Sequence, residues 1–183
     1  SGKGSRPGRF NHPYGVAVCP RSRFVYVSDR YNHRVQVFTA RGELVHIIGL
    51  GRGLALGQMR RPAGIAVDCY GTLYVADSMN NRVQVFTPDG TAIRIIGAGV
   101  GGQPGELQLP LDVAVSPSGK RLYVVDSENH RVQSFAHTGR FIREVASRST
   151  PASGIRQPVA VAVSPDKDRL FVTDAEFKRV RVL

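Results

Sequence analysis

The side chains that could carry out catalysis in this chain are scattered along the sequence. Of the five histidines, His33 and His130 occupy equivalent positions in a short repeated turn. Ser28, Asp29 and His33 together have the residue types of a hydrolytic Ser–His–Asp set. Ser28 and Asp29 are adjacent in a predicted strand, however, and neighbouring strand side chains point to opposite faces of a sheet. We therefore interpret these three as ordinary strand and turn residues.

Two glycine-rich segments have the composition of phosphate-binding loops. Residues 49–57 read GLGRGLALG and residues 97–102 read GAGVGG. Neither contains the GxxxxGK[ST] sequence of a nucleotide-binding loop, and neither precedes a helical pattern. Both segments are therefore predicted to be linkers between structural units.

A repeat of about 48 residues organises the chain, because Pro13, Pro62, Pro110 and Pro158 begin equivalent segments at spacings of 49, 48 and 48. Each unit contains runs of β-branched and aromatic residues, such as PYGVAV, FVYVSD and HRVQVF, which are typical of strands. A further run follows a glycine turn in the first three units, and no sustained helical periodicity occurs. This pattern predicts an all-β fold, a β-propeller in which each unit is one blade of four short strands. Valines of the first strands are expected to pack between blades: Val16, Val18, Val67, Val113 and Val163.

An acidic and a basic residue recur at a fixed spacing in every unit. The aspartates that close the second predicted strands are each followed five residues later by an arginine: Asp29 and Arg34, Asp77 and Arg82, Asp126 and Arg131, Asp174 and Arg179. Because a specific site rarely repeats in every blade, we interpret these as structural ion pairs across the connecting turn. In the same turns, asparagines at three equivalent positions are predicted to adopt left-handed backbone conformations: Asn32, Asn80 and Asn129.

The tracts YNHRVQVF, MNNRVQVF and ENHRVQSF, together with the PxGVAV-like and LYVAD-like strands, resemble the NHL repeat family of β-propellers. The resemblance covers nearly the whole chain. It implies one propeller domain over residues 1–183, with repeats at about 10–49, 59–97, 107–146 and 155–183. The fourth unit departs from the pattern, because it reads EFKRVRVL with Phe177 at the turn-asparagine position, and it lacks an outer strand.

The number of repeats leaves the closure of the ring open. Three arrangements fit: a piece of a longer ring, a four-bladed ring with one incomplete blade, or an arc that another chain completes. We favour the first. The family resemblance implies closure with about six blades, and an unpaired strand edge promotes pairing with another strand.

The resemblance implies several functions. Related propellers include metal-dependent gluconolactonase-like hydrolases and peptide-amidating lyases, which carry metals on the ring axis. The matching axial positions here are Gly15, Gly64, Asp112 and Ala160, so only one carboxylate is available. We therefore expect a non-catalytic binding platform with no catalytic residues, metal or cofactor. The resemblance also extends to the propellers of tripartite-motif ubiquitin ligases, which implies recognition of RNA or protein.

The charge of the chain points to an acidic partner. Lysine and arginine number 25 against 14 acidic residues, which gives a formal charge of +11. One face of the propeller carries the interblade linkers and the turns between second and third strands. We call it the turn face. Exposed cations and aromatic or sulfur-containing side chains on this face are the predicted partner-binding residues: Arg30, Tyr31, Arg52, Arg60, Arg61, Met79, Phe177 and Lys178. Three alternatives follow for this face: it binds single-stranded RNA that stacks on the aromatic rings, it binds an acidic protein, or it is a scaffold that binds no nucleic acid.

The two cysteines, Cys19 and Cys69, are too few for a disulfide framework. Repeat alignment places both near the same blade end, so a single bridge between them stays open. The small number of cysteines favours a reducing compartment. Because the chain also has no long apolar run, we expect a cytoplasmic protein without a membrane partner.

Overall fold

The structure is a computed structural model that describes residues 4–149, 154–166 and 169–183. Its strands form four antiparallel sheets, and within each sheet the strands follow one another in chain order. The all-β propeller architecture expected from the repeats is therefore confirmed. Among the described residues, no helix is long and apolar enough to cross a membrane.

The first two blades have four strands each, and a single 3-10 turn joins the second strand to the third. The elements of these blades are β1 (Pro13–Val18), β2 (Val25–Asp29), the turn Arg30–Asn32, β3 (Arg34–Phe38), β4 (Leu44–Ile48), β5 (Pro62–Val67), β6 (Leu73–Asp77), the turn Ser78–Asn80, β7 (Arg82–Phe86) and β8 (Ala92–Ile96).

The third blade also has four strands, whereas the fourth has three. Their strands are β9 (Pro110–Val115), β10 (Arg121–Asp126), β11 (Arg131–Ala136), β12 (Phe141–Ser147), β13 (Pro158–Val163), β14 (Leu170–Asp174) and β15 (Arg179–Val182).

Each inner strand opens with its repeat proline directly opposite the aspartate that closes the second strand. Pro62 is paired with Asp77 in this way, and the register then shifts before Ile65 meets Val75. Proline has no N–H to donate to the sheet, so it is tolerated where the ladder begins or bulges. The same pairing of proline with aspartate recurs in the other three blades, which places every aspartate side chain at the turn face.

Neighbouring blades pack through three apolar clusters and through close contact of the inner strands. A Cβ atom on Gly15 would lie 2.7 Å from the carbonyl oxygen of Ala63, and one on Gly64 would lie 1.9 Å from Asp112 Oδ1. Glycine is therefore required for β1 to approach β5 and for β5 to approach β9. Between β9 and β13, Asp112 Oδ2 accepts a hydrogen bond from the Val161 N–H at 2.9 Å.

The valines of the inner strands were expected to pack between blades, and for the first blade this expectation is wrong. Val16 is 67% exposed and Val18 is 53% exposed, whereas Ile65, which occupies the position of Val16 in the second blade, is 6% exposed. The reason is that no described blade covers this side of the first sheet. The other three valines of this expectation are better covered: Val113 is buried, and Val67 and Val163 are partly buried against the clusters.

The opposite end of the molecule is open in the same way. Val180 and Val182 of β15 are 59% and 55% exposed, whereas Val132 at the position of Val180 in the third blade is fully buried. The four blades therefore form an arc with an exposed apolar face at each end.

Candidate functional site

A buried aspartate holds the turn between the second and third strands in each blade. In the second blade, Asp77 Oδ2 accepts hydrogen bonds from Asn80 Nδ2, Arg82 Nε and Gln84 Nε2 at 2.8, 2.8 and 3.0 Å. Its Oδ1 accepts one from the Arg60 N–H at 2.7 Å. The carboxylate thus joins the turn to the linker that precedes the same blade, and the structural interpretation of the Asp–Arg pairs is confirmed.

The turn asparagines have a different role from the predicted one. The left-handed residues are those that follow them, at φ values between 50° and 57°: His33, Asn81, His130 and, in the fourth blade, Lys178. The amide of Asn80 instead donates to Asp77 and to the Gly53 carbonyl oxygen. The side chain tethers the turn to the linker, and the next residue reverses the chain direction.

These left-handed residues also connect each blade to the next one. His33 Nδ1 accepts a hydrogen bond from the Arg61 N–H at 3.1 Å, and Asn81 Oδ1 accepts one from the Leu109 N–H at 2.8 Å. Nδ1 can accept only when it carries no proton, so His33 is held with its proton on Nε2. This contact places the turn of the first blade beside the linker that enters the second.

A cleft of about 250 Å³ lies at this junction between the first and second blades. It is lined by residues of the first turn, the second turn and the connecting linker: Tyr31, His33, Arg52, Arg60, Arg61 and Met79. Five of the eight predicted partner-binding residues are therefore brought together. His33 was missed from the sequence, where it was interpreted as a turn residue only.

The cleft is strongly cationic. Among the described residues, no carboxylate lies within ion-pair distance of Arg52, Arg60 or Arg61. Burial, followed by the nearby positive charges of these three arginines, lowers the pKa of His33 below its usual range. The arrangement therefore presents three unneutralised guanidinium groups around a neutral imidazole, which suits an anionic ligand.

Three predicted residues lie outside the cleft. Arg30 stands over the ring of Tyr14, with its guanidinium carbon 4.7 Å from the ring centre. Phe177 and Lys178 belong to the turn of the fourth blade, where the Arg179 and Arg156 guanidinium carbons stand 4.5 and 5.4 Å from the Phe177 ring centre. The turn face therefore carries two separate cationic regions, one at each end of the arc.

The aromatic rings that were expected to stack on nucleic acid bases already have partners. The Tyr31 ring centre lies 4.4 Å from that of His12 and 5.0 Å from the Arg61 guanidinium carbon. Cation–π contacts of this kind stabilise the side chains they join. Tyr31 and Phe177 stay 41% and 47% exposed, so a base that stacked on either ring would share it with, or compete with, these contacts.

Comparison with known families identifies the repeats. The family model described as NHL repeat matches residues 10–38, 59–86 and 107–135. The chain is an NHL-repeat propeller. Each matched segment begins three residues before the inner strand of one of the first three blades and ends in its third strand, at Phe38, Phe86 or Phe135.

Solved structures share this fold at low sequence identity. A chain of hydrazine synthase from Kuenenia stuttgartiensis matches all of this NHL-repeat chain with a TM-score of 0.69 and 20% identity. A chain of a nidogen/laminin complex matches 95% of it with a TM-score of 0.71 and 23% identity. The NHL-repeat chain covers 51% of the first chain and 60% of the second, and at these identities the similarity shows the fold alone. Among curated proteins, none matches this chain.

The fourth blade, which the NHL model does not match, has a looser turn. Phe177 replaces the asparagine donor, and the Arg179 Nη2 to Asp174 Oδ2 distance is 3.7 Å, compared with 2.7–2.8 Å between the paired atoms in the other three blades. The departure of EFKRVRVL from the NHL pattern therefore weakens the buried ion pair of this blade.

The axial positions were the expected location of a metal in related enzymes. Within residues 4–149, 154–166 and 169–183, no group of three or more His, Cys, Asp or Glu side chains is placed to hold a metal ion. Burial raises the pKa of Asp112 to about 6, and its carboxylate is engaged by the Val161 N–H. Cys19 is buried and Cys69 is exposed, and both are free thiols.

Proposed function

We propose that this chain is a non-catalytic binding platform that recognises an acidic segment of a protein partner through the cleft between its first two blades. The observation that supports this proposal best is the set of three arginines, Arg52, Arg60 and Arg61, that line one cleft with no carboxylate of the described residues to neutralise them. Clustered like charges repel one another, and a partner's carboxylates would relieve that repulsion on binding.

The scaffold beneath the cleft is suited to a binding role. Buried aspartate networks fix each turn, and the contact between His33 and Arg61 fixes one blade against the next. Side chains presented by a rigid framework lose little conformational freedom on binding, which favours affinity. The similar chain in the nidogen/laminin complex is part of a protein–protein assembly, which agrees with a protein partner for this fold.

Single-stranded RNA is the second candidate, because arginine-rich surfaces also bind phosphates. The contacts of Tyr31 with His12 and Arg61 argue against base stacking as its source of affinity. We therefore propose the protein partner and treat RNA binding as an alternative outcome of the same experiment.

The non-catalytic assignment rests on the axial residues. Gly15, Gly64 and Ala160 offer no side-chain ligand, and the carboxylate of Asp112 is engaged by the Val161 N–H. Turnover of lactone or peptidylglycine substrates with added zinc or calcium, lost on Asp112→Asn, would contradict this assignment.

The proposal is tested by fluorescence anisotropy with a labelled glutamate-rich peptide and, separately, a labelled mixed-sequence RNA. The test variant carries Arg52→Glu, Arg60→Glu and Arg61→Glu. Its matched control reverses three exposed arginines outside the cleft: Arg21→Glu, Arg41→Glu and Arg140→Glu. Both variants change the net charge by the same amount, so a difference between them reports location and not total charge.

We expect the cleft variant to lose affinity for the peptide while the control stays close to the wild type. At about 0.5–1 kcal/mol for each exposed ion pair, three lost pairs correspond to a loss of roughly 10- to 150-fold. Equal losses in both variants would show general charge attraction and contradict a defined site. Tight binding of RNA with none of the peptide would favour the nucleic acid alternative.

A further inference from the structure

We propose that the cleft is specifically a carboxylate site, in which a glutamate or aspartate of the partner takes the place beside Arg60 that Glu176 takes beside Arg156 in the fourth blade. This inference rests on the proposed function and adds the ligand chemistry to it. It comes from comparing two blades of the same chain, one of which supplies the anion itself and one of which does not.

Arg60 and Arg156 occupy the same repeat position, two residues before the proline that opens the inner strand. Both backbone N–H groups donate to the turn aspartate of their own blade, Arg60 to Asp77 Oδ1 at 2.7 Å and Arg156 to Asp174 Oδ2 at 3.3 Å. In the fourth blade the contact with Oδ1 is made one residue later, by the Gln157 N–H at 3.0 Å. Both arginines therefore lie in the linker segment that the turn aspartate of the following strands holds in place.

The residue that faces each arginine differs between the two blades. Glu176 and Met79 both follow the turn aspartate by two residues. In the fourth blade, Glu176 Oε1 lies 3.2 Å from Arg156 Nη1. In the second blade, the Met79 N–H donates to the Arg60 carbonyl oxygen at 3.1 Å, but its side chain has no charge to offer the guanidinium. An arginine two residues before the repeat proline can therefore bind a carboxylate from the turn of its own blade, as Arg156 does. The second blade has such an arginine, but its turn Ser78–Asn80 contains no carboxylate.

The rest of the cleft strengthens the case for an external carboxylate. Arg52 and Arg61 add two further guanidinium groups to the position beside Arg60. The His33 ring also lines the cleft with its proton on Nε2, because Nδ1 accepts from the Arg61 N–H. Met79, which is 38% exposed, adds an apolar surface for the methylene groups of an acidic side chain.

The choice of a carboxylate over a phosphodiester follows from the internal example. Arginine binds both anions with two-pronged geometry, so the guanidinium groups alone do not discriminate. Glu176 shows that a carboxylate on a short aliphatic arm reaches this position of the repeat. The Tyr31 ring, which a nucleic acid would use for stacking, is already in contact with Arg61 and His12.

The inference is tested by giving the second blade the glutamate that the fourth blade has. Met79→Glu should place a carboxylate on Arg60 and compete with the partner, whereas Met79→Gln has nearly the same shape without the charge. Val100→Glu, at an exposed linker position before the third blade, adds the same charge on the turn face outside the cleft. Binding of a glutamate-rich peptide is measured by fluorescence anisotropy for all three and the wild type, after thermal melting has shown that each is folded.

We expect Met79→Glu to weaken peptide binding by about tenfold or more, which corresponds to losing one to two exposed ion pairs and adding repulsion. Met79→Gln and Val100→Glu should each stay within about threefold of the wild type, the range of a lost neutral contact or one distant charge. Losses of equal size for Met79→Glu and Met79→Gln would show that the methionine surface matters and the charge does not, and would overturn the inference.

Two further results separate this inference from the proposed function. If Met79→Glu binds the peptide like the wild type while the triple arginine reversal does not, the basic cleft binds the partner but the carboxylate position is wrong. If the triple reversal is also without effect, both fail together. Tight binding of mixed-sequence RNA that Met79→Glu reduces, with no binding of the peptide, would overturn the carboxylate assignment in favour of a phosphate ligand.

Discussion

Removal of the buried aspartate of the second blade should cost far more stability than removal of its counterpart in the fourth. Asp77 is fully buried and accepts four hydrogen bonds, from Arg60, Asn80, Arg82 and Gln84. The change Asp77→Ala leaves a guanidinium with its charge buried and uncompensated. Breaking a buried ion pair in this way costs about 3–5 kcal/mol.

The remaining contacts of Arg82 limit the loss to this range. Its other nitrogens donate to the carbonyl oxygens of Leu54, Ala55 and Gln58 at 2.7, 3.0 and 2.9 Å. Those bonds persist in the variant and keep the arginine side chain in place. For a chain of this size, a loss of about 3–5 kcal/mol lowers the melting temperature by about 6–20 °C.

Asp174→Ala is the matched control, because it deletes the same repeat position from a weaker network. Arg179 lies 3.7 Å from Asp174 and its side chain is 39% exposed, so water solvates the arginine after the change. Two backbone N–H groups, of Arg156 and Gln157, lose their acceptor, which costs about 1–3 kcal/mol.

Urea denaturation followed by circular dichroism measures both variants, since the chain contains no tryptophan. We expect the free energy of unfolding to fall by about 3–5 kcal/mol for Asp77→Ala and by less for Asp174→Ala. Equal losses of unfolding free energy in the two variants, or a loss below about 1 kcal/mol for Asp77→Ala, would refute the interpretation that the buried ion pair stabilises each blade.

Two further predictions concern the contacts of the inner strands. Because the pKa of Asp112 is raised to about 6, its contribution to stability is present in full below about pH 4 and is lost as the pH rises through 6. Asp112→Asn should therefore stabilise the fold by about 1–3 kcal/mol at neutral pH and flatten this pH dependence in melting experiments; an unchanged pH profile would contradict the assigned burial. Gly64→Ala would place a Cβ atom 1.9 Å from Asp112 Oδ1 and 2.6 Å from its Cα. It should destabilise the fold by about 1–3 kcal/mol in urea denaturation, and a wild-type midpoint would show that β5 and β9 are less closely packed.

The features that repeat within one blade could be predicted from the sequence. The spacing of Asp77 and Arg82 places them opposite each other across a short turn, so their pairing depends on local geometry alone. The left-handed position was misplaced by one residue, because it is occupied by histidine, asparagine or lysine and the neighbouring asparagine carries the stronger turn signal.

Features that depend on how blades sit beside one another could be predicted only in part. Arg52, Arg60 and Arg61 lie in one linker, so their proximity follows from sequence, and Tyr31 and Met79 flank them in adjacent turns. The position of Phe177 relative to this group depends on the curvature of the arc, which no repeat pattern specifies.

The role of His33 had a signal that could have been found. It precedes Arg61 by 28 residues, and Asn81 precedes Leu109 by the same distance. Both pairs join a turn to the next linker, so an offset of 28 residues identifies the contact at the first two junctions, whereas His130 contacts Arg156 at an offset of 26. No sequence feature predicted the exposure of Val16, because the strand pattern of an end blade is the same as that of an internal one.

The most direct test of the proposed function is to observe the arginine side chains while an acidic peptide is added. Two-dimensional NMR of the Nε–Hε groups reports each arginine separately in a 19.9 kDa protein, with assignments from single Arg→Lys variants. We predict that the signals of Arg52, Arg60 and Arg61 shift together with increasing glutamate-rich peptide, while those of Arg82 and Arg131, which are held in the buried networks, do not. Shifts confined to the Arg156 and Arg179 region of the fourth blade, or no shift in the cleft arginines at saturating peptide, would contradict the proposal that this cleft is the binding site.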